Sequence, residues 1–232
     1  MENQTVTMPL IGDKAPSFEA DTTQGKIRFP QDFKGKWVIL FSHPGDFTAV
    51  CTSELMLFGA MEQEFEALNC RLVGLSVGTL SSHIAWLRSM HERIEFKGHK
   101  NVDFNFPLIA DMSMEVAGKY GMVQPRASST AAVRSVFFID PAATIRAIIC
   151  YPAQLGRNFG EIKRALIGLQ TADKYHVAMP ADWQPGDDII VPAPATYSRA
   201  DAPVEGMKCY EWYFCTKPLP EARVEQRQAV EA

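Results

Sequence analysis

Two hydrophobic periods alternate along the chain, and the switches between them mark its elements. Residues 37–42, WVILFS, form a short run of β-branched, aromatic and aliphatic side chains bounded by Gly35 and Pro44. A run of that length with those flanks reads as a buried strand. From 48 to 68 the period lengthens. Leu55, Phe58, Met61, Phe65 and Leu68 recur every three or four residues, and Glu54, Glu62, Gln63 and Glu66 occupy the opposite positions. That pattern predicts one amphipathic helix. Further on, 70–78 reads as a strand, 81–94 as a helix capped by Ser81 or Ser82, 106–111 as a strand and 114–122 as a short helix ended near Gly121. Residues 134–140 and 145–151 are two strands joined by a tight turn at Pro141, and 158–175 is a helix with Ile162, Ala165, Leu166 and Leu169 on one face. Residues 12–30 hold Gly12, Pro16, Gly25 and Pro30 with little periodicity and read as loop and short edge strands.

Strands that alternate with helices imply an α/β layered fold around a largely buried central sheet. The consecutive strands after residue 134 form an antiparallel hairpin, so the sheet is mixed. Beyond about residue 176 the texture changes. Pro180, Pro185, Pro192, Pro194 and Pro203 follow one another without periodicity, which predicts an extended arm and no second core. Tyr210, Trp212, Tyr213 and Phe214 crowd together in that arm. Such a cluster needs a surface to cover it, either a second subunit or the body of the same chain.

Composition narrows the function. Twenty-three Lys and Arg against 27 Asp and Glu leave a net charge of −4, a poor match for nucleic acid or another polyanion. No apolar run approaches the roughly 20 residues of a membrane span. The start, MENQTVTMPLIGDKAPSF, lacks the basic-then-apolar pattern of a secretory signal, so the expected compartment is the cytoplasm. Five widely spaced cysteines, 51, 70, 150, 209 and 215, are a poor disulfide framework. Each is expected to be buried, metal-bound or catalytic.

Cys51 stands apart because of where the pattern puts it. A strand ends near Ser42, a loop covers 43–47 and a helix begins near Thr48, so Cys51 falls in the first turn. Backbone N–H groups there lack intrahelical partners, and the helix dipole adds partial positive charge; both favour a thiolate. An ordinary thiol is a few per cent ionised at neutral pH, so full ionisation gains at most about 30-fold in reactive species. Falling nucleophilicity trims that gain. A fast reaction needs further donors to hold an electrophile and stabilise a leaving group. Thr48 offers a hydroxyl three residues before Cys51, and Pro44 rigidifies the loop. On these grounds alone, a helix cap followed by a core cysteine is an equal alternative.

The residues around Cys51 carry a resemblance. PGDFTAVC has the P-x-x-x-T-x-x-C pattern of the peroxiredoxins at Pro44, Thr48 and Cys51, and VILFSHPGDFTAVCTSEL is similar to that family throughout. RSVFFIDP resembles the family's strand bearing an active-site arginine, here Arg134, while IICYPAQLGRNFGEI and VAMPADWQPGDDIIVP resemble the branch with a long C-terminal arm, which includes the one-Cys and archaeal-type enzymes; the similarity spans roughly residues 8 to 217. Many relatives have Pro after the Thr, where this chain has Ala49; Pro is favoured at a first helical position but not required. The resemblance implies a thioredoxin-like fold, with a peroxidase domain over 6–165 and a dimerisation and resolving arm over 166–232. It implies that Cys51 attacks a peroxide O–O bond, that Thr48 hydrogen-bonds thiolate and peroxide, and that Arg134 favours the thiolate and stabilises developing charge. It implies no cofactor and no metal. Its partners would be a peroxide, a thioredoxin-like or other thiol reductant, and further copies of the chain as dimers in a ring, often a decamer.

The remaining candidates carry alternatives. KCYEWYFC places Cys209 and Cys215 at C-x5-C, a poor zinc pair; a helix-like pair inside aromatic packing is one reading. The resemblance makes Cys215 the resolving residue, bonding Cys51 across subunits, and Cys209 an auxiliary one. His43 either lines the peroxide pocket or is a solvated loop histidine. Glu54 either orients Arg134, by analogy, or is an ordinary first-turn glutamate favoured by the dipole. Arg157 occupies the LGRN segment, where relatives also hold an arginine near the site. Cys70 and Cys150 read as core residues. A thioredoxin-like oxidoreductase would want C-x-x-C where this chain has C-T-S-E, a cysteine hydrolase signature is absent, and a peroxide sensor or holdase differs from an enzyme only in turnover.

Overall fold

The computed structural model describes residues 7–193 and 206–219. The elements run β1 (Phe18–Thr22), β2 (Gly25–Phe29), β3 (Trp37–Ser42), α1 (Ala49–Ala60), α2 (Glu62–Ala67), β4 (Cys70–Ser76), α3 (Leu80–Arg93), β5 (Glu95–Phe96), β6 (His99–Lys100), β7 (Leu108–Ala110), α4 (Glu115–Lys119), β8 (Arg134–Ile139), β9 (Ile145–Tyr151), α5 (Phe159–Tyr175), β10 (Ile189–Val191), β11 (Lys208–Glu211) and β12 (Phe214–Lys217). The chain divides into two units at Phe159/Gly160.

The first unit holds a seven-stranded mixed sheet in the order β2-β1-β7-β4-β3-β8-β9. β3 pairs parallel with β4, and β4 with β7, while β3–β8, β8–β9, β1–β7 and β1–β2 are antiparallel. This is the expected thioredoxin-like α/β architecture. WVILFS lies near its centre, and all six residues are buried, which accounts for its continuous apolar run. The 12–30 segment supplies β1 and β2 at one edge.

Several expectations need correction. The helix read over 48–68 is two helices, broken at Met61 (φ −96°, ψ 3°); a period of three and four survives a one-residue interruption, so the pattern could not reveal it. Glu54, placed on the polar side of that helix, is buried because it faces two arginines. The cap of α3 is Thr79, whose hydroxyl accepts the Ser82 N–H at 3.2 Å, not Ser81 or Ser82. Cys150, expected in the core, is exposed, since β9 is the other edge of the sheet. Cys70 is buried, and burial pushes its thiol up to about 12.

In the second unit the arm is more ordered than a proline-rich extended segment. β10, β12 and β11 form a three-stranded antiparallel sheet, with Cys209 opposite Cys215 in the β11–β12 pair. The cysteines therefore sit on a hairpin, not on a helix, and are joined by a disulfide. Trp183 is buried in this unit, its Nε1–H donating to the Asp187 carbonyl at 3.2 Å. Tyr210, Trp212, Tyr213 and Phe214 remain exposed. Pro194 and Pro203 lie outside the described residues.

The core beneath the β3–α1 junction is tightly filled. Phe41 stacks on Phe58 of α1 with centroids 3.9 Å apart. Gly74 of β4 lies under Phe41: a Cβ there would stand 2.8 Å from Leu108 Cδ1 and 2.9 Å from Phe41 Cζ. Gly74→Ala is expected to lower stability by about 1–3 kcal/mol through overpacking, read from urea unfolding. A variant as stable as the wild type would show that this contact yields freely.

Candidate active site

Cys51 is the third residue of α1 and is fully buried. Thr48 precedes the helix in extended conformation (φ −107°, ψ 145°), and its carbonyl accepts the Thr52 N–H at 2.9 Å. The Thr48 side chain does not cap the helix; its hydroxyl donates to the Gly45 carbonyl at 2.9 Å. That uses the hydroxyl proton and leaves oxygen lone pairs, which suit an incoming O–H donor better than a thiolate. Pro44 is partly buried in the same loop. Phe47 adopts φ 55°, a left-handed conformation that costs a non-glycine residue roughly 1–2 kcal/mol. A surface groove of about 500 Å³ runs alongside, lined by Phe47, Thr48, Trp86, Met90, Ile94 and Phe96 among others.

Sheet topology brings Arg134 to the thiol. β8 is antiparallel to β3, so β8 begins where β3 ends and the loop to α1 departs. Arg134, its first residue, is buried. Its Nη1 donates to Cys51 Sγ at 3.3 Å and to Glu54 Oε2 at 2.7 Å, while Nε and Nη2 donate to the Ala153 carbonyl at 3.1 and 2.6 Å. The guanidinium is held on two sides, and its remaining reach is toward sulfur.

Glu54 is shared with a second arginine. Arg157 donates from its backbone N–H and Nε to Glu54 Oε1 at 2.8 and 3.0 Å, and from Nη2 to Oε2 at 2.7 Å. Its Nη1 donates to the carbonyls of Ser42 (3.0 Å) and Ser135 (3.3 Å). The guanidinium also lies over the rings of Phe41 and Phe58, 5.3 and 5.2 Å from their centroids. Burial pushes Arg157 down, and the Glu54 carboxylate opposes that; a guanidinium keeps its proton in proteins. Two cations and one carboxylate thus sit in a dry site with one positive charge in excess. Arg134 is the cation that also donates to Cys51 Sγ, and an unbalanced charge in a dry site is costly.

His43 is fully buried, not solvated. Its Nε2 meets Asp46 Oδ1 at 3.1 Å, and the other Asp46 oxygen meets His83 Nδ1 at 2.7 Å. Burial pushes His43 down, away from its charged form. Burial alone would push Asp46 up, but hydrogen bonds from His43, His83 and Ser82 outweigh it and hold the carboxyl below its usual range. Asp46 and His83 escaped the sequence reading. Asp46 does lie three residues after His43 within the motif, a spacing that could have flagged it; His83, 37 positions on, gave no such signal. Cys209 and Cys215 belong to the second unit, bonded to each other. No group of three or more His, Cys, Asp or Glu among the described residues is placed to hold a metal.

Comparison with known proteins gives this geometry a lineage. Residues 11–148 match the AhpC/TSA family and 168–205 match the C-terminal domain of 1-Cys peroxiredoxin. A peroxiredoxin of Methanosarcina mazei is 56% identical over 214 residues, covering 90% of this chain and 98% of that protein. The chain belongs to the peroxiredoxins. Among solved structures, this peroxiredoxin is similar to the yeast mitochondrial 1-Cys peroxiredoxin (TM-score 0.80, 38% identity, 91% and 100% of the two chains). It is equally similar to a cysteine-to-serine mutant of peroxiredoxin 6 from Arenicola marina (TM-score 0.80, 35% identity, 92% and 99%). Membership makes it a thiol-dependent peroxidase. Arg134→Lys keeps a cation but loses the fork that spans Cys51, Glu54 and Ala153. Its rate constant for peroxide is expected to fall about a hundredfold, the cost of losing one aimed donor, in a peroxide-consumption assay; an unchanged rate would remove Arg134 from the chemistry.

Proposed function

We propose that this peroxiredoxin reduces hydrogen peroxide and organic hydroperoxides at Cys51, resolves the product with Cys215 of the partner subunit, and draws electrons from a thioredoxin-like or other thiol donor as an antioxidant enzyme of the cytoplasm. The observation that carries the reading is the charge-balanced burial of Cys51 against Arg134, Glu54 and Arg157. The Cys51 thiolate attacks one peroxide oxygen and the O–O bond breaks. The leaving oxygen takes a proton as water or alcohol, and sulfur becomes a sulfenic acid. Arg134 stabilises charge on the reacting atoms, the Thr48 oxygen accepts the peroxide O–H, Pro44 shapes the loop, and Glu54 and Arg157 hold Arg134. The apolar groove beside Thr48 suits the carbon chain of an organic hydroperoxide.

In the resolving step the thiol of Cys215 of the partner subunit attacks the sulfenic sulfur; an S–S bond forms and water leaves. Cys209 pairs with Cys215 across one hairpin. It then displaces Cys51 from the mixed bond, and a dithiol donor reduces the resulting Cys209–Cys215 disulfide. The bond between these two cysteines supports the exchange, and the yeast relative, described with glutathione and thioredoxin systems, supports a thiol donor. The exposed aromatic cluster of the arm supports dimers, which we read as units of a decameric ring, with 166–232 as the dimerisation and resolving arm.

Cys51→Ser is expected to abolish peroxide consumption; a rate equal to the wild type would sink the whole reading. In a Cys209→Ser background, peroxide is expected to accumulate disulfide-linked dimers on a non-reducing gel, and adding Cys215→Ser is expected to remove them. Dimers that persist would exclude Cys215 as the resolving residue.

A further inference from the structure

The His43–Asp46–His83 network is buried, adjoins the catalytic loop and takes no part in the steps above. His83 Nδ1 faces Asp46 Oδ2 at 2.7 Å and its Nε2 faces the Ile109 carbonyl at 3.2 Å. A carboxylate and a carbonyl are both acceptors only, so each ring nitrogen must carry a proton for both contacts to be hydrogen bonds. That makes His83 an imidazolium, completely buried on α3 and paired with Asp46. Asp46 then has one oxygen left, which accepts from His43 Nε2. His43 is neutral in this arrangement, with its proton on Nε2 and a bare Nδ1. That Nδ1 is buried and has no hydrogen-bond partner among the described residues.

We infer that Asp46 and His83 are positioning residues of the peroxidase site. Their buried ion pair anchors the loop that carries Thr48 and fixes His43 in the tautomer that presents Nδ1 as an acceptor. Three further observations fit. Phe47, directly after the anchored Asp46, holds the left-handed conformation that turns the chain into α1. The His43 ring packs on Trp86 at 5.1 Å, and Trp86 Nε1 donates to Thr52, next to Cys51, at 3.2 Å. Gly78 approaches so closely that an added Cβ would stand 2.9 Å from His83 Cε1 and 3.3 Å from Ser76 Oγ. The groups that act on the pair are Ser82 of α3, the Ile109 carbonyl of β7 and, through His43, the Arg157 guanidinium. With His83 protonated the pair is neutral as a whole. A neutral His83 would turn one ring lone pair toward an acceptor and lose the anchor.

The inference rests on the peroxidase reading for its kinetic arm and on no activity for its spectroscopic one. Nitrogen NMR of the reduced full-length protein, labelled at histidine, should find both ring nitrogens of His83 protonated at neutral pH and His43 protonated at Nε2 alone. A neutral His83 would overturn the inference, even if Asp46 and His83 variants fail to fold. Stopped-flow oxidation of Cys51 by hydrogen peroxide at neutral pH gives the second test. Asp46→Asn and His83→Leu should slow it about tenfold or more, as expected for losing a charge-assisted hydrogen bond. His83→Asn keeps an N–H donor toward Asp46 and should recover most of the rate. Equal loss in His83→Asn and His83→Leu would contradict the positioning role. A wild type that consumes no peroxide would defeat the enzyme reading and leave the NMR result to decide this one.

Discussion

Four hydrogen bonds converge on the Glu54 carboxylate, one from Arg134 and three from Arg157. Everything at the site hangs on that convergence. A carboxylate in a dry interior is costly unless charged donors saturate it, and two guanidiniums do so here. They overshoot by one charge, and the excess falls on the residue with Arg134 Nη1 at 3.3 Å, Cys51. The helix start alone bounded the gain from ionisation at about 30-fold. The cluster adds what ionisation cannot, a fixed donor beside the sulfur.

The fold's part is to bring four distant segments to one point and keep them there. β3 ends beneath the start of α1, and β8 begins at the same level because it runs the other way. The segment after β9 returns with Ala153 and Arg157, whose backbone and side chain close the ring of bonds. Ser42 ties the elements together: its hydroxyl donates to the Val133 carbonyl at 2.6 Å and accepts the Ser135 N–H at 3.2 Å, and its carbonyl accepts from Arg157. The loop between is pinned separately, through Asp46 and its two histidines. Preorganisation of this kind places donors before substrate arrives, so the reaction does not spend free energy moving them.

Much of this was legible in the chain. WVILFS announced a central strand because both its faces are buried, and the 134–151 hairpin announced itself through two apolar runs around a proline turn. Cys51, Thr48 and Pro44 were legible because helix-start chemistry is local. Arg134 needed a resemblance, since nothing local links it to a residue 83 positions away. Glu54 was legible only as two alternatives, an anchor for Arg134 or a solvent-facing first-turn glutamate, because a polar residue on a helix reads as solvent-facing until its cations are known; its bond to Arg134 fits the first. Cys150 failed the same way in reverse, as an apolar-looking residue on an edge strand. In the hairpin of Cys209 and Cys215, aromatics stand exposed on the turn and strands, so no burial alternation marked β11 and β12. Asp46 and His83 were hidden because their partnership exists only in space.

The central claim is that Glu54, which does not itself touch the thiol, governs the reactivity of Cys51 by holding Arg134 and Arg157. The most direct measurement is the rate of sulfenic acid formation on Cys51 in a Cys209→Ser/Cys215→Ser background, compared between Glu54 and Glu54→Gln under single-turnover conditions, with circular dichroism confirming the fold. Losing the carboxylate removes the charged anchor that the two guanidiniums share, so the rate is expected to fall about a hundredfold, as when one aimed donor is lost. An equal rate in a folded Glu54→Gln variant would contradict it.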